Sequence, residues 1–98
     1  MTTVYVVESQ INCLTLWQWG YPAIALFGTG SKKQYDILNR SGIRNYILCF
    51  DGDDAGRKAT QRFIDNLKSD VFISVKQIPD GKDVNDLTKE EFDKLLVI

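Results

Sequence analysis

The chain has 98 residues, 44% hydrophobic and 26% charged, with a formal net charge of −1. That is apolar material for one domain with a single core rather than two, and near-neutrality excludes a uniformly basic nucleic-acid binder. With no histidine, His triads and His general bases are excluded. The two cysteines, Cys13 and Cys49, cannot make a four-ligand zinc site. Cys49 lies between Leu48 and Phe50 and Cys13 precedes Leu14, and each reads as a reduced, buried thiol. No apolar run approaches the ~20 residues of a membrane span, and Met1-Thr2-Thr3-Val4 lacks the basic start of a signal peptide. The expectation is a cytoplasmic domain with no membrane contact, whose chemistry runs on carboxylates, metal ions and Lys/Arg.

Val4-Tyr5-Val6-Val7 is a short apolar, β-branched run and predicts a buried strand ending at Glu8. Ser9 offers an N-cap, and Ile11, Leu14, Leu16 and Trp17 predict the inner face of a first helix, with Trp17 in the core. Gly20 closes that helix. Residues 23–27 predict a second strand, with Phe27 in the core, followed by the loop Gly28-Thr29-Gly30-Ser31. Ser31 can cap a second helix to about Arg40, with Tyr35 and Leu38 inward and Gly42 as its stop. A third strand covers Tyr46 to Phe50 and runs into Asp51-Gly52-Asp53-Asp54-Ala55-Gly56. A third helix follows from about Asp54 to Lys68, with Asp54 as its N-cap. Residues 71–75 predict a fourth strand. Thr88, with Glu91 three residues on, is a capping box for a last helix.

This β-α-β-α-β-α-β-α order predicts a three-layer α/β/α fold. Its sheet is four-stranded, mostly parallel and Rossmann-like, with a ligand crevice outside the carboxyl ends of the strands. Glu8 stands at the end of the first strand, Asp51 and Asp53 at the end of the third, and Asp83 after the fourth. Carboxylates gathered in one crevice repel each other unless a cation sits among them, and a hard divalent ion such as Mg²⁺ fills that role. Asp-x-Asp on a turn leaving a strand can aim two carboxylates at one point, with Gly52 allowing close approach. An EF-hand fails, because its fifth loop position is Ala55 and its twelfth is Arg62.

Four stretches, in order, carry a family resemblance. Val6-Val7-Glu8-Ser9-Gln10-Ile11-Asn12 resembles the first Toprim motif. Leu26-Phe27-Gly28-Thr29-Gly30 resembles the Gly-Thr loop of primase Toprim domains. Residues 47–59, containing Asp51-Gly52-Asp53-Asp54-Ala55-Gly56-Arg57-Lys58-Ala59, are similar to the primase form of the Asp-x-Asp motif. Ile78-Pro79-Asp80-Gly81-Lys82-Asp83-Val84-Asn85 is similar to the family's last acidic segment. The whole chain, residues 1–98, therefore resembles a single Toprim domain of a DnaG-type primase or phage primase-helicase, as a fragment of a longer primase chain. Ser9 departs from the family's usual Gly. Asn12 and Asn85 stand where primases often have further Asp residues, which makes the site less negative.

The resemblance implies metal-dependent nucleotidyl transfer, the synthesis of RNA primers in DNA replication, by a bacterial or phage protein. It implies Asp51 and Asp53 as the main ligands of Mg²⁺ or Mn²⁺, Glu8 as a further ligand or base, and Asp83 completing the cluster. Lys32, Arg57 and Lys58 open helices beside the implied site and are candidates for binding nucleotide phosphates. The implied partners are nucleoside triphosphates, a single-stranded DNA template, the other primase domains and a replicative helicase. The isolated domain is expected to make no primer alone. Alternatives are a Toprim nuclease or topoisomerase, a non-catalytic Toprim binding module in repair or recombination, and a haloacid-dehalogenase-like phosphatase. The last expects its Asp-x-Asp on the first strand, not the third.

Overall fold

A computed structural model describes residues 3–26, 32–67 and 70–98. Strand β1 (Thr3–Val7) leads into helix α1 (Gln10–Gln18), and β2 (Ala23–Ala25) precedes α2 (Lys32–Arg40). Strand β3 (Asn45–Leu48) leads into α3 (Asp54–Asn66). After β4 (Phe72–Val75) come a 3₁₀ turn (Val84–Asp86) and α4 (Lys89–Lys94). The four strands form one sheet in the order β2-β1-β3-β4, and every pairing is parallel. The expected loop at residues 28–31, the Ser31 cap and the core position of Phe27 lie outside the described residues.

Alternation along the strands divides the core in two. On one face Val4, Val6, Tyr46 and Leu48 meet Tyr35 and Leu38 of α2 and Ala59 and Phe63 of α3. Phe63 is fully buried, with the Tyr35 and Tyr46 rings set edgewise to it. On the other face Val7, Ala23 and Cys49 meet Leu16 of α1, Val84 and Leu87 around the 3₁₀ turn, and Phe92 of α4. Helices thus cover both faces, giving the three-layer α/β/α arrangement. Cys49 is fully buried and Cys13 partly so, and both are free thiols.

Strand order and helix placement together create the crevice. The chain leaves β1 through α1 on one face to reach β2, then crosses back through α2 on the opposite face to reach β3. Neighbouring β1 and β3 therefore send their connections to opposite faces, and their carboxyl ends border a switch point of the sheet. Glu8 follows β1 there, and Asp51 follows β3.

Helix α1 does not turn the expected face inward. Its buried residues are Asn12 and Leu16, whereas Ile11, Leu14 and Trp17 are 62%, 62% and 56% exposed. Both sides of this helix carry apolar residues, so their spacing alone does not choose the inner one. Trp17 is still anchored, since its Nε1 donates to the Ala23 carbonyl at 3.0 Å. Trp19 and Tyr21, by contrast, pack partly buried against Phe92.

The caps follow the sequence at two helices. The Ser9 hydroxyl accepts from Asn12 N at 3.1 Å, and Thr88 with Glu91 forms the reciprocal box at α4. At α3 the expectation fails by one residue: the N-cap is Asp53, and Asp54 is the first helical residue. The carboxyl-terminal tail was not foreseen as sheet structure. Val75 and Ile98 exchange two backbone hydrogen bonds of 2.8 and 2.9 Å, Gln77 N donates to the Leu96 carbonyl at 2.9 Å, and Lys76 bridges Val97 in antiparallel sense. The tail so covers part of the outer edge of β4, which would otherwise present unpaired backbone groups. No described helix is long and apolar enough to cross a membrane.

Candidate metal centre

Beyond β3, buried Cys49 and Phe50 carry the chain to the rim of the crevice, where it turns at residues 51–53. Asp53 N donates to the Asp51 carbonyl at 2.9 Å. The Asp53 carboxylate then accepts from Gly56 N at 2.7 Å and starts α3. The turn is dense. A Cβ on Gly52 would lie 2.1 Å from the Pro79 carbonyl oxygen, and one on Gly56 would lie 1.9 Å from the Asp51 carbonyl oxygen. The close approach that Gly52 permits is therefore that of the chain after β4. Gly52 N donates to the Lys82 carbonyl at 2.9 Å, and Gly81 N to the Gly52 carbonyl at 2.7 Å.

Those bonds deliver the last acidic segment to the Asp51 turn. Asp83 caps the 3₁₀ turn, accepting from Asp86 N at 3.0 Å, while Asp86 accepts from Asp83 N at 3.0 Å. Asp51 thus lies within the fields of Glu8, Asp83, Asp53 and Asp86. Burial first, and then those four like charges in that order, push its pKa up to about 6. Burial also raises the Glu8 pKa, the Asp51 backbone N–H pulls it back down by donating to the carboxylate, and the Asp53 charge raises it.

The four predicted acids do different work. Glu8 Oε1 and Asp51 Oδ1 are buried oxygens with no hydrogen-bond partner. A buried acceptor without a donor is costly, and two on residues that feel each other's charge suit a hard cation. Asp53 and Asp83 each commit an oxygen to a helix cap. Among the described residues no three acidic or thiol side chains stand close enough to cage an ion unaided. Mg²⁺ needs no such cage, since it keeps waters and binds through one or two carboxylates together with substrate phosphates. The donor chemistry present fits a divalent metal, and Glu8 and Asp51 carry the buried oxygens that could meet it.

The three predicted phosphate binders are dispersed. Arg57 reaches Asp54 at 2.6 Å and Asp80 at 3.7 Å. All three side chains are exposed, so these pairs are weak and exchangeable. Arg57 also shares a hollow of about 200 Å³ with Asp51, Phe50 and Ile78, the one predicted cation placed beside the acids in this way. Lys58 is exposed on α3 and Lys32 is exposed at the start of α2, and neither lines that hollow.

Sequence reasoning missed Asp86, whose only signal was its spacing of three from Asp83, that of a capping pair. It also missed what Asn12 and Asn85 do. Asn12, 2% exposed, accepts from Asn85 N at 3.1 Å. The two residues hold backbone together rather than merely diluting the acids.

Comparison with known proteins places this geometry. The profile of the Toprim-like family matches residues 5–88. The chain is 33% identical over 90 residues to a DNA primase of Clostridium acetobutylicum, covering 90% of this chain and 15% of that protein. Its fold superposes on the Aquifex aeolicus primase (zinc-binding and RNA polymerase domains) with TM-score 0.75 and 25% identity, over 98% of this chain and 26% of that one. The primase fragment of the bacteriophage T7 primase-helicase aligns with TM-score 0.72 and 29% identity, over 95% of this chain and 41% of that one. The chain thus spans a small part of the relatives it matches. With an all-parallel α/β sheet, the acids at its switch point and a match over most of its length, the chain belongs to the Toprim-like family, as a Toprim domain of the DnaG primase type.

Proposed function

We propose that this domain is the metal-binding catalytic subdomain of a longer DNA primase, acting in RNA primer synthesis during replication. The observation that carries the reading is the pair of buried, unpartnered oxygens on Glu8 and Asp51 at the sheet's switch point. Mg²⁺ or Mn²⁺ bound there would supply charge stabilisation for an attacking hydroxyl and a departing pyrophosphate. Glu8 and Asp51 hold the ion. Asp53 and Asp83 tie their own turns in place by capping and add negative potential that favours it. Arg57 is the cation best placed to exchange its surface carboxylates for a nucleotide phosphate, with Lys32 and Lys58 as outlying contributors. The substrates in this reading are nucleoside triphosphates and a single-stranded DNA template in the cytoplasm. Other primase domains, and a helicase, supply template guidance and company.

A chimera tests this. The corresponding segment of the Clostridium acetobutylicum primase is replaced by this chain and primer synthesis is followed on single-stranded DNA. The expected result is primer synthesis in the chimera, reduced by at least ~100-fold by Asp51→Ala, and none from the 98-residue chain alone. Cleavage of DNA by the isolated chain with Mn²⁺, abolished by the same substitution, would instead establish a nuclease.

A further inference from the structure

Asp83 and Asp86 hang from one turn of 3₁₀ helix, and the bonds that tie this turn come from two sides. From the β3 side the backbone of Gly52 holds Gly81 and Lys82. From the α1 side the link is made by side chains. Asn12 Oδ1 accepts from Asn85 N at 3.1 Å, and Thr15 Oγ1 lies 2.7 Å from Asn85 Oδ1 and 3.0 Å from the Ile11 carbonyl. Asn85 N is one of the first N–H groups of its helical turn and has no acceptor within it. Asn12 supplies that acceptor from 73 residues away. Its own backbone N–H is spent on the Ser9 cap directly after Glu8. The residue that follows β1 by one helical turn is thus bonded both to the turn beside Glu8 and to the turn that carries Asp83 and Asp86.

We propose that Asn12, assisted by Thr15, is a positioning residue that latches the Asp83 and Asp86 turn onto the Glu8 and Asp51 pair and so sets divalent-metal affinity from outside the coordination shell. This rests on the metal-holding reading above. An amide suits the task because it accepts the Asn85 N–H in a nearly dry position without adding a charge there. The latch closes the crevice across the two chain segments most distant in sequence, so it forms only in the folded domain. Thr15 has one hydroxyl proton and shares it between Asn85 and the Ile11 carbonyl, which makes it the lesser half of the latch.

The test uses Mn²⁺ alone as probe, with binding read by water-proton relaxation and hydrogen exchange of the Asn85 amide read by NMR. Asn12→Ala is expected to weaken Mn²⁺ roughly tenfold, the low end for a group that orients metal ligands from behind, and to speed Asn85 exchange while far-UV circular dichroism stays unchanged. Asn12→Asp keeps the acceptor and is expected to restore Asn85 protection; because it also adds a charge there, it is read by amide exchange and not by affinity. If Asn12→Ala does not fold, Thr15→Val at its more accessible position carries the test, with a roughly two- to threefold loss of affinity expected, the low end for one net hydrogen bond. A folded Asn12→Ala or Thr15→Val variant that binds Mn²⁺ like the parent overturns the latch and leaves the proposed function standing. A parent domain that binds no Mn²⁺ overturns both.

Discussion

Asp51→Asn raises the unfolding midpoint of the metal-free domain at pH 7.5, although it removes a residue at the centre of the proposed site. The Asp51 pKa stands at about 6, above its ordinary 3.8, because burial and then Glu8, Asp83, Asp53 and Asp86 disfavour its ionised form. The folded state therefore holds the Asp51 proton more tightly than the unfolded chain does. Its contribution to stability is complete below about pH 4 and is lost as pH rises through about 6. At pH 7.5 the ionised carboxylate is a liability that an isosteric amide removes. The shift taken at face value converts at about 1.4 kcal/mol per unit. Discounted for the solvent that still screens a partly buried group, the gain is about 1–2 kcal/mol, or roughly 5–10 °C for a domain this size. Scans at pH 4.5 should narrow the gap between parent and variant, and scans below about pH 4 should nearly close it, because folded and unfolded chains then both hold the Asp51 proton. Glu91 and Asp93, whose pKa values are lowered by Thr88 and by Lys89 with Tyr21 respectively, act in the opposite sense in both proteins and cancel in the comparison. A variant less stable than the parent at pH 7.5 would show that Asp51 is held by favourable contacts rather than crowded by charge.

Gly56→Ala has the largest expected cost, about 4 kcal/mol or more, read from urea unfolding midpoints. In an ordinary helix the exchange would be stabilising, since alanine is the better helix former by about 1 kcal/mol. Here the new methyl group would stand 1.9 Å from the Asp51 carbonyl oxygen and 2.8 Å from its carbonyl carbon. These are backbone atoms fixed by the same turn, which cannot yield without moving Asp51 itself. The first turn of α3 must either unwind or swing away, breaking the Asp53 cap and displacing the turn that carries the carboxylates. Metal affinity should fall along with stability. A Gly56→Ala variant as stable as the parent would mean that α3 does not press on the Asp51 turn as closely as described.

What the sequence discloses follows from how local each signal is. Alternating apolar strands and helical stretches fixed by Ser9, Gly20, Gly42 and Thr88 reveal the α/β order, because caps and turns are decided within four or five residues. The placement of Glu8 and Asp51 at strand ends follows directly from that order. Signals that depend on a distant partner were hidden. Which side of α1 faces inward is settled by the sheet and by Asn85, 73 residues on, so Ile11, Leu14 and Trp17 looked like core. Asp53 and Asp54 are equally good caps by residue type, and only the close fit of Gly56 to Asp51 selects Asp53. The pairing of the tail with β4 and the reach of Asp86 to Asp51 needed the fold itself. The family resemblance implied Asp51 and Asp53 as the main ligand pair. The proposed function puts the weight on Glu8 and Asp51 instead, because Asp53 has a cap to maintain.

The most direct test is a calorimetric titration of Mn²⁺ into the parent domain and into Asp51→Asn and Glu8→Gln at pH 7.5, with and without pyrophosphate. The structure predicts saturable binding to the parent, tightened when pyrophosphate completes the coordination, and lost or weakened by at least ~10-fold in each variant. No binding at millimolar Mn²⁺ under either condition, or binding that survives both substitutions unchanged, would contradict the assignment of Glu8 and Asp51 as the metal-holding pair.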